Sequence, residues 1–158
     1  MNYKELANFY DVAPDFSEKF TDRVEEMRSV LELIVNCPVT HDDDMNYAAA
    51  QKLIFYIDQD GAPTSQETAA NKIVFYISSK AKFVSYLMFP KLRKNIWGPP
   101  ILKISNSHSA INRIATIFAD RIGYTIPDID LHQEVEGRAT ELDGKPATIF
   151  EILYSEIY

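Results

Sequence analysis

The sequence predicts a single α+β domain spanning residues 1–158, in which a central antiparallel sheet is packed by about four helices. Two patterns carry this prediction. The middle of the chain, at about residues 72–89, is rich in β-branched and aromatic residues, whereas the flanks carry apolar residues at three- and four-residue spacing. The length suits one domain, and 46% hydrophobic residues exceed the content of a typical disordered chain.

The first long helix is predicted between Pro14-Asp15 and Asn36. Asp15 and Glu18 have the spacing of a capping box, and Pro38 follows the predicted end of the helix. Apolar residues recur along it at helical spacing, which indicates one buried stripe opposite an acidic face. That stripe consists of Phe16, Phe20, Val24, Met27, Leu31 and Ile34.

A second helix is predicted from Asp43 or Asp44 to Asp60-Gly61, through Ala48, Ala49, Leu53 and Ile57. The acidic residues Asp42, Asp43 and Asp44 precede its body, where carboxylates would cap the helix and favour its dipole. With His41 they also form a candidate metal site or a partner-facing acidic patch, although adjacent residues rarely converge on one ion.

An antiparallel hairpin is predicted from Lys72–Ser78 and Lys82–Phe89, joined by residues 79–81 and closed by Pro90. Both strands have apolar side chains at odd and even positions. We therefore expect the hairpin to be central, with helices or another sheet on each face.

The remaining elements follow the hairpin in order. Residues 91–100 predict a loop, residues 101–105 a short strand, and a helix begins at Ser107 or Ser109 and ends at Gly123. An extended segment is predicted at residues 131–135 and a turn at residues 142–144. Thr148 and Glu151 have capping-box spacing and predict a final helix with a buried face.

Charge is segregated along the chain. Residues 68–119 contain eight basic residues and no acidic one, whereas residues 1–67 have a net charge of −9 and residues 114–158 a net charge of −6. Such a layout suits an electrostatically steered partner. It also allows the basic side chains to form ion pairs with acidic helices of the same chain.

Several function classes lack their motifs. No zinc-hydrolase spacing, nucleotide-binding glycine loop or nucleophile elbow occurs, so we expect no enzyme activity, no metal and no cofactor, with a small enzyme lacking a recognisable motif as one alternative. The single cysteine, Cys37, indicates a small apolar packing residue rather than a nucleophile. The absence of a signal-like or membrane-spanning run predicts a cytoplasmic protein.

The basic block is a second candidate site. Lys91, Arg93 and Lys94 lie close to Trp97, and further aromatics in the block are Tyr76, Phe83 and Tyr86. Lysine and arginine beside aromatic rings are typical of single-stranded nucleic-acid surfaces. An overall pI near 4.9 and the strand positions of most of these rings make that alternative less favoured.

Three stretches resemble small bacterial immunity proteins of contact-dependent or polymorphic toxin systems: residues 72–89, Gly123-Tyr124 and residues 146–156. The resemblance covers roughly residues 72–158. It implies a cytoplasmic, non-catalytic inhibitor that binds a cognate protein toxin and covers its active site or an essential surface. No binding residue follows from the resemblance itself.

An acidic inhibitor would be attracted to a basic toxin, such as a nuclease domain. We therefore expect partner contacts from acidic side chains and from an aromatic anchor, with no membrane association, and a nucleic-acid partner is less favoured than a protein one. The candidate partner-binding residues are Asp42, Asp43, Asp44, Glu134, Glu136 and Trp97.

Overall fold

A computed structural model of the chain describes residues 2–45, 48–101, 109–140 and 144–155. The helices are α1 (Tyr3–Ala7), α2 (Glu18–Val35) and α3 (Ser109–Ile122), with a 3₁₀ turn at Asn8–Asp11 and a π-helical turn at Glu151–Ser155. The strands are β1 (Thr40–Asp42), β2 (Ala50–Ile57), β3 (Pro63–Thr64), β4 (Asn71–Ser78), β5 (Val84–Arg93), β6 (Ile96–Trp97), β7 (Glu134–Ala139) and β8 (Pro146–Thr148). This is an α+β fold, as predicted.

The main sheet is antiparallel, with the strand order β1-β2-β4-β5-β6, and β3 pairs with the end of β2. The predicted hairpin is confirmed as β4 and β5, and β4 is central because β2 pairs with it along its whole length. β5 does not end at Pro90 but continues to Arg93. Pro90 is tolerated there because it lies opposite Asn71, the first residue of β4, where the pairing ends.

The helix predicted over residues 43–61 is wrong, because residues 50–57 form strand β2. Ala49, Leu53 and Ile57 have a four-residue spacing that resembles one helical face. However, Leu53, Phe55 and Ile57 also alternate with half-buried residues, which is the period of a strand. Asp42 lies in β1 and no helix is seen to begin at Asp43 or Asp44, so the helix-capping role predicted for this cluster is wrong as well.

Two hydrophobic cores lie on the opposite faces of the sheet, as the hairpin pattern predicted. The odd-numbered side chains Ile73, Phe75 and Ile77 of β4 face the first core, which α2 and α3 cover. Its even-numbered Val74 and Tyr76 face the second core, which α1, the 3₁₀ turn and the C-terminal segment cover. Strand β4 therefore buries both faces over most of its length.

Helix α2 starts and ends close to the predicted positions, but the predicted capping box of Asp15 and Glu18 is wrong. Its N-cap is Ser17, whose hydroxyl accepts from the Phe20 N–H, while Asp15 accepts from the Ser17 N–H. Asn36 ends the helix in the left-handed conformation, with φ of 52°. Phe16 precedes the helix and is exposed, so the buried stripe begins at Phe20.

The C-terminal half agrees with the predictions in most places. Helix α3 ends before Gly123, whose φ of 71° suits a glycine. Thr148 and Glu151 form the predicted reciprocal cap, with N···O distances of 3.0 and 3.2 Å. The extended segment is confirmed in part, because β7 begins at Glu134. The strand predicted beyond Ile101 and the turn at residues 142–143 lie outside the described residues.

None of the helices in the described ranges is long and apolar enough to cross a bilayer.

Candidate functional site

The structure separates the acidic and basic residues that the sequence singled out. Asp42 lies at the β1 edge of the sheet, opposite Lys52 of β2. Lys91 and Arg93 lie on β5 and pair with β6 at the other edge, beyond the start of β4. Lys94 is exposed in the two-residue turn that follows. Two distinct surfaces therefore have to be considered.

The first is an acidic surface made by the exposed side of α2 and by the end of β1. Positions 22, 26, 29 and 33 follow one another at steps of three or four residues, so their side chains share a helix face. This face is opposite the buried stripe of Phe20, Val24, Met27, Leu31 and Val35. We define the acidic surface as Asp22, Glu26, Leu33, Asp42, Asp43 and Asp44.

A polar network joins the two parts of this acidic surface. Glu25 of α2 contacts the Nδ1 of His41 at 2.9 Å, and Arg28 bridges Glu25 and Glu32 at 2.5 and 2.7 Å. The Nε2 of His41 lies 2.7 Å from the Oε1 of Gln51. The carboxylates keep their charge readily here, because the Arg28 hydrogen bond and then His41 lower the pKa of Glu25.

The network continues into the protein. Gln51 is only 1% exposed, and its Nε2 donates to the Thr21 hydroxyl at 2.8 Å. Glu32 accepts from the Val39 N–H at 2.9 Å, and this bond and Arg28 lower the pKa of Glu32. Helix α2 is thereby fixed to β1 and β2 by polar contacts as well as by the core. The acidic surface is consequently held in one arrangement.

Leu33 is the most exposed large apolar side chain among those described, at 80%. It lies near the end of α2, beside a cleft of about 520 Å³ lined by Ser29, Glu32, Asn36 and Cys37. Cys37 is half-buried against the first core, and burial raises the pKa of its thiol. This agrees with the predicted packing role and disfavours a thiolate nucleophile.

The second surface lies on the β4 face that carries the second core, against which Phe89 is packed. Tyr56, Lys72 and Phe89 are register partners on three adjacent strands, so they form a row on one face of the sheet. Lys91 and Trp97 pair across β5 and β6 beside them. We define this lysine–aromatic surface as Lys52, Tyr56, Lys72, Phe89, Lys91 and Trp97, all half-buried.

The cations of this surface lie close to aromatic rings. The Nζ of Lys72 is 5.0 Å from the ring centroid of Phe89 and 5.6 Å from that of Trp97, and the Nζ of Lys91 is 5.4 Å from Trp97. Tyr56 packs on Trp97 at a centroid distance of 5.4 Å. These distances are typical of cation–π contacts.

The lysines differ in their acceptors. Lys91 donates to the Gln66 and Glu67 carbonyl oxygens at 2.9 and 3.2 Å. For Lys72 no carboxylate lies within 4.0 Å and no hydrogen-bond acceptor is in range within the described ranges. Burial and then Lys52 lower the pKa of Lys72, since both disfavour its charged form. The basic block therefore does not rely on the acidic helices for these contacts.

A cleft of about 660 Å³ opens at this end of the sheet, with Asp58, Asp60, Lys91 and Arg93 on its walls. The Asp58 carboxylate is directed at its own turn, since Oδ1 accepts from the Asp60 and Ala62 N–H groups at 2.9 and 3.0 Å. The cleft thus adds Arg93 and two carboxylates, those of Asp58 and Asp60, to the surroundings of the lysine–aromatic surface.

Comparison with family models, with curated proteins and with solved structures finds no significant match. The chemistry of the two surfaces is therefore what indicates a function.

The other aromatic residues of the basic block, which were candidates for a nucleic-acid surface, lie outside the lysine–aromatic surface. Tyr76 packs against Phe150 in the second core, and Phe83 packs edge-on against Phe9. Tyr86 stacks on Phe75 towards the first core. None of these three belongs to the lysine–aromatic surface. Trp97 does, and it does not lie with the acidic residues that were predicted to share its partner.

Glu134 and Glu136 lie on β7, exposed, at a cleft of about 580 Å³ between this strand and α1. Lys4 and Arg138 line the same cleft. These two glutamates form a third location, separate from the Asp42 end of the main sheet. His132 stacks on Phe150 at 5.7 Å, which gives it a structural role.

Sequence patterns alone missed Tyr56, Lys52 and Phe89 as candidate site residues. The first two were hidden because their segment was interpreted as a helix. The usable signal was the alternation of buried and half-buried residues along β2, which places Lys52, Ile54 and Tyr56 on one side. No described group of three or more His, Cys, Asp or Glu side chains is placed to hold a metal ion.

Proposed function

We propose that the protein is a bacterial immunity protein that binds a cognate toxin in the cytoplasm and neutralises it by covering its active site or an essential surface. The observation that carries this proposal is the acidic surface, where Leu33 stands 80% exposed on the same face of α2 as Asp22 and Glu26. Protein-binding surfaces combine an apolar centre with a polar rim, and an exposed leucine on the helix face that carries Asp22 and Glu26 fits that composition.

Electrostatics supports the same partner class. The chain has a net charge of −7, and Asp43 and Asp44 are exposed at the end of the short edge strand β1. A basic toxin, such as a nuclease domain, would be steered towards this surface at a rate that decreases with salt. Because the Glu25–His41–Gln51 network fixes α2 to the sheet, little ordering would be required on binding.

The resemblance of residues 72–158 to immunity proteins adds the biological setting. Such proteins are encoded beside their toxins, so the product of the adjacent upstream gene is the first partner to test. We expect a stable 1:1 complex in light scattering after gel filtration and rescue of growth when both genes are expressed together. Failure of that product to bind would contradict the proposal.

Variants locate the contact. Asp43→Lys together with Asp44→Lys should weaken toxin binding by at least tenfold, and Leu33→Ser should act mainly on the dissociation rate. Glu67→Lys is the matched control, because Glu67 is exposed at the opposite end of the β2–β4 pair and its change in charge is the same per residue. If Glu67→Lys and the Asp43 and Asp44 variant lose the same affinity for the toxin, the acidic surface is not the binding face.

Glu134 and Glu136 offer an independent arm of the experiment. They lie on β7, so a toxin bound there would be insensitive to Asp43 and Asp44 and sensitive to Glu134→Lys and Glu136→Lys. That outcome would retain the immunity function and move its binding face to the β7–α1 cleft.

A further inference from the structure

From the lysine–aromatic surface we infer that the protein has a second binding site, which takes single-stranded nucleic acid. This inference does not rest on toxin binding, because the centre of the site, Lys72 and Trp97, lies away from Asp42. Lys52, which is opposite Asp42 on β1, is the point where the two surfaces approach each other. The site uses Lys52, Lys72 and Lys91 for phosphates, and Trp97 with Tyr56 and Phe89 for bases.

The ammonium group of Lys72 has aromatic neighbours but no acidic partner among the described residues. It is held beside the rings of Phe89 and Trp97 and lacks both a carboxylate and a hydrogen-bond acceptor among the described residues. Lys52, on the neighbouring strand, repels it. A half-buried cation in this position gains most from an added anion, since partial desolvation strengthens the attraction.

The rings and cations of this surface are regularly spaced. Tyr56, Lys72 and Phe89 lie on adjacent strands, which are about 4.8 Å apart. Successive side chains on one face of a strand are about 6.8 Å apart, which separates Phe89 from Lys91. Rings and cations therefore alternate across the three strands and from Phe89 to Lys91 along β5, at distances comparable with those between the bases and phosphates of an extended strand.

The chemistry distinguishes this ligand from an acidic peptide. Carboxylates could bind the lysines, but they would add no stacking contact to Tyr56, Phe89 and Trp97. Bases stack on such rings, and phosphates satisfy the lysines, so one ligand uses both kinds of side chain. In a duplex, each base face is covered by the neighbouring base pairs and cannot stack on a protein ring. A single-stranded ligand is therefore favoured.

Trp97 provides an intrinsic fluorescence probe for this site. It is the one tryptophan of the chain, and it contacts Tyr56, Lys72 and Lys91. Tryptophan emission of the full chain should therefore be quenched when a 12-nucleotide oligo(dT) or oligo(U) is added at low salt. Poly-glutamate of similar length and a 12-base-pair duplex serve as the competing ligands in the same titration.

Lys72→Gln is the central variant, because it removes the charge and keeps most of the side-chain length. We expect it to weaken oligonucleotide binding at least fivefold and to lower the salt dependence of log K by about 0.7, as for one phosphate contact. Lys82→Gln is the matched control, since Lys82 is an exposed residue of the same basic block at the far end of the hairpin. It should stay within twofold of wild type.

Each outcome is decisive. Quenching by the oligonucleotide with loss in Lys72→Gln and not in Lys82→Gln supports the site. Equal loss in both variants, quenching by poly-glutamate with similar affinity, or no binding at 50 mM salt would overturn it. Toxin binding that survives Lys72→Gln would show that the two sites fail or succeed independently.

Discussion

The Tyr154 and Ser85 hydroxyl groups lie 2.6 Å apart in the second core, where Tyr154 is 0% exposed and Ser85 is 5% exposed. Burial raises the pKa of Tyr154, so the phenol stays neutral across the physiological range. Ser78 also donates to the Leu153 carbonyl at 2.7 Å. The C-terminal segment is therefore attached to β4 and β5 by buried hydrogen bonds.

Tyr154→Phe should lower the free energy of unfolding by about 1–3 kcal/mol, because the Ser85 hydroxyl is left buried without its partner. Ser85→Ala should have a comparable effect. The double variant should recover part of the loss, since neither partner is then unsatisfied. Urea unfolding of all four proteins gives the coupling. Strict additivity of the two single changes would contradict the buried bond.

The burial of Lys80 should make the stability of the protein depend on pH in the alkaline range. Its side chain is 8% exposed, its Nζ donates to the Phe9 carbonyl at 3.2 Å, and burial lowers its pKa to about 8 from an ordinary 10.5, against the opposing effect of Asp11. Between these two values the unfolded chain binds more protons, so stability rises with pH in that window.

Compared with Lys80→Met, the wild type should therefore become relatively more stable as the pH is raised from 7 to 9.5. Urea unfolding of both proteins at the two pH values measures this difference, and the methionine variant cancels changes that do not involve Lys80. A difference in unfolding free energy that is independent of pH over this range would show that the ammonium group is solvated.

Asn36 tests the end of α2. Its φ of 52° lies in the left-handed region, which glycine adopts without strain. Asn36→Gly should raise the unfolding free energy by a few tenths of a kcal/mol to about 1, and Asn36→Ala should lower it by about 1. Thermal unfolding of the pair is sufficient, and a ranking with alanine above glycine would contradict the assigned conformation.

Gln51 tests the network that supports the acidic surface. Gln51→Leu would remove partners from the His41 ring and from the Thr21 hydroxyl, both at the interface of α2 with the sheet. We expect a loss of about 2 kcal/mol in urea unfolding. Thr21→Val breaks one of the two contacts and should cost less. Equal costs would indicate that the His41 contact contributes nothing.

Local patterns predicted a large part of the fold. The hairpin, α2, α3 and the Thr148–Glu151 cap each depend on residues close in sequence, and the structure agrees with them. Strand β2 was missed because its spacing fits both periods over a few residues. What decides in favour of the strand is pairing with β4 from Ala50 to Ile57, which is a long-range contact.

The candidate surfaces were harder to predict for the same reason. Trp97 and Lys91 were identifiable because basic and aromatic residues occur together in the segment before Gly98-Pro99-Pro100. Their neighbours Tyr56, Lys72 and Phe89 come from three separate strands and meet through register alone. Likewise, the link between Glu25 and His41 spans 16 positions and requires α2 to pack beside β1. No sequence spacing encodes either juxtaposition.

The three-residue strand β1 has one more consequence. A sheet edge with free backbone groups invites another chain to add a strand, and shortness and charge are the usual protection. Here the edge is three residues long, carries Asp42 and is followed by exposed Asp43 and Asp44. The same carboxylates that could attract a basic partner therefore protect the protein against edge-to-edge aggregation, so variants that reverse their charge should also be checked for oligomer formation.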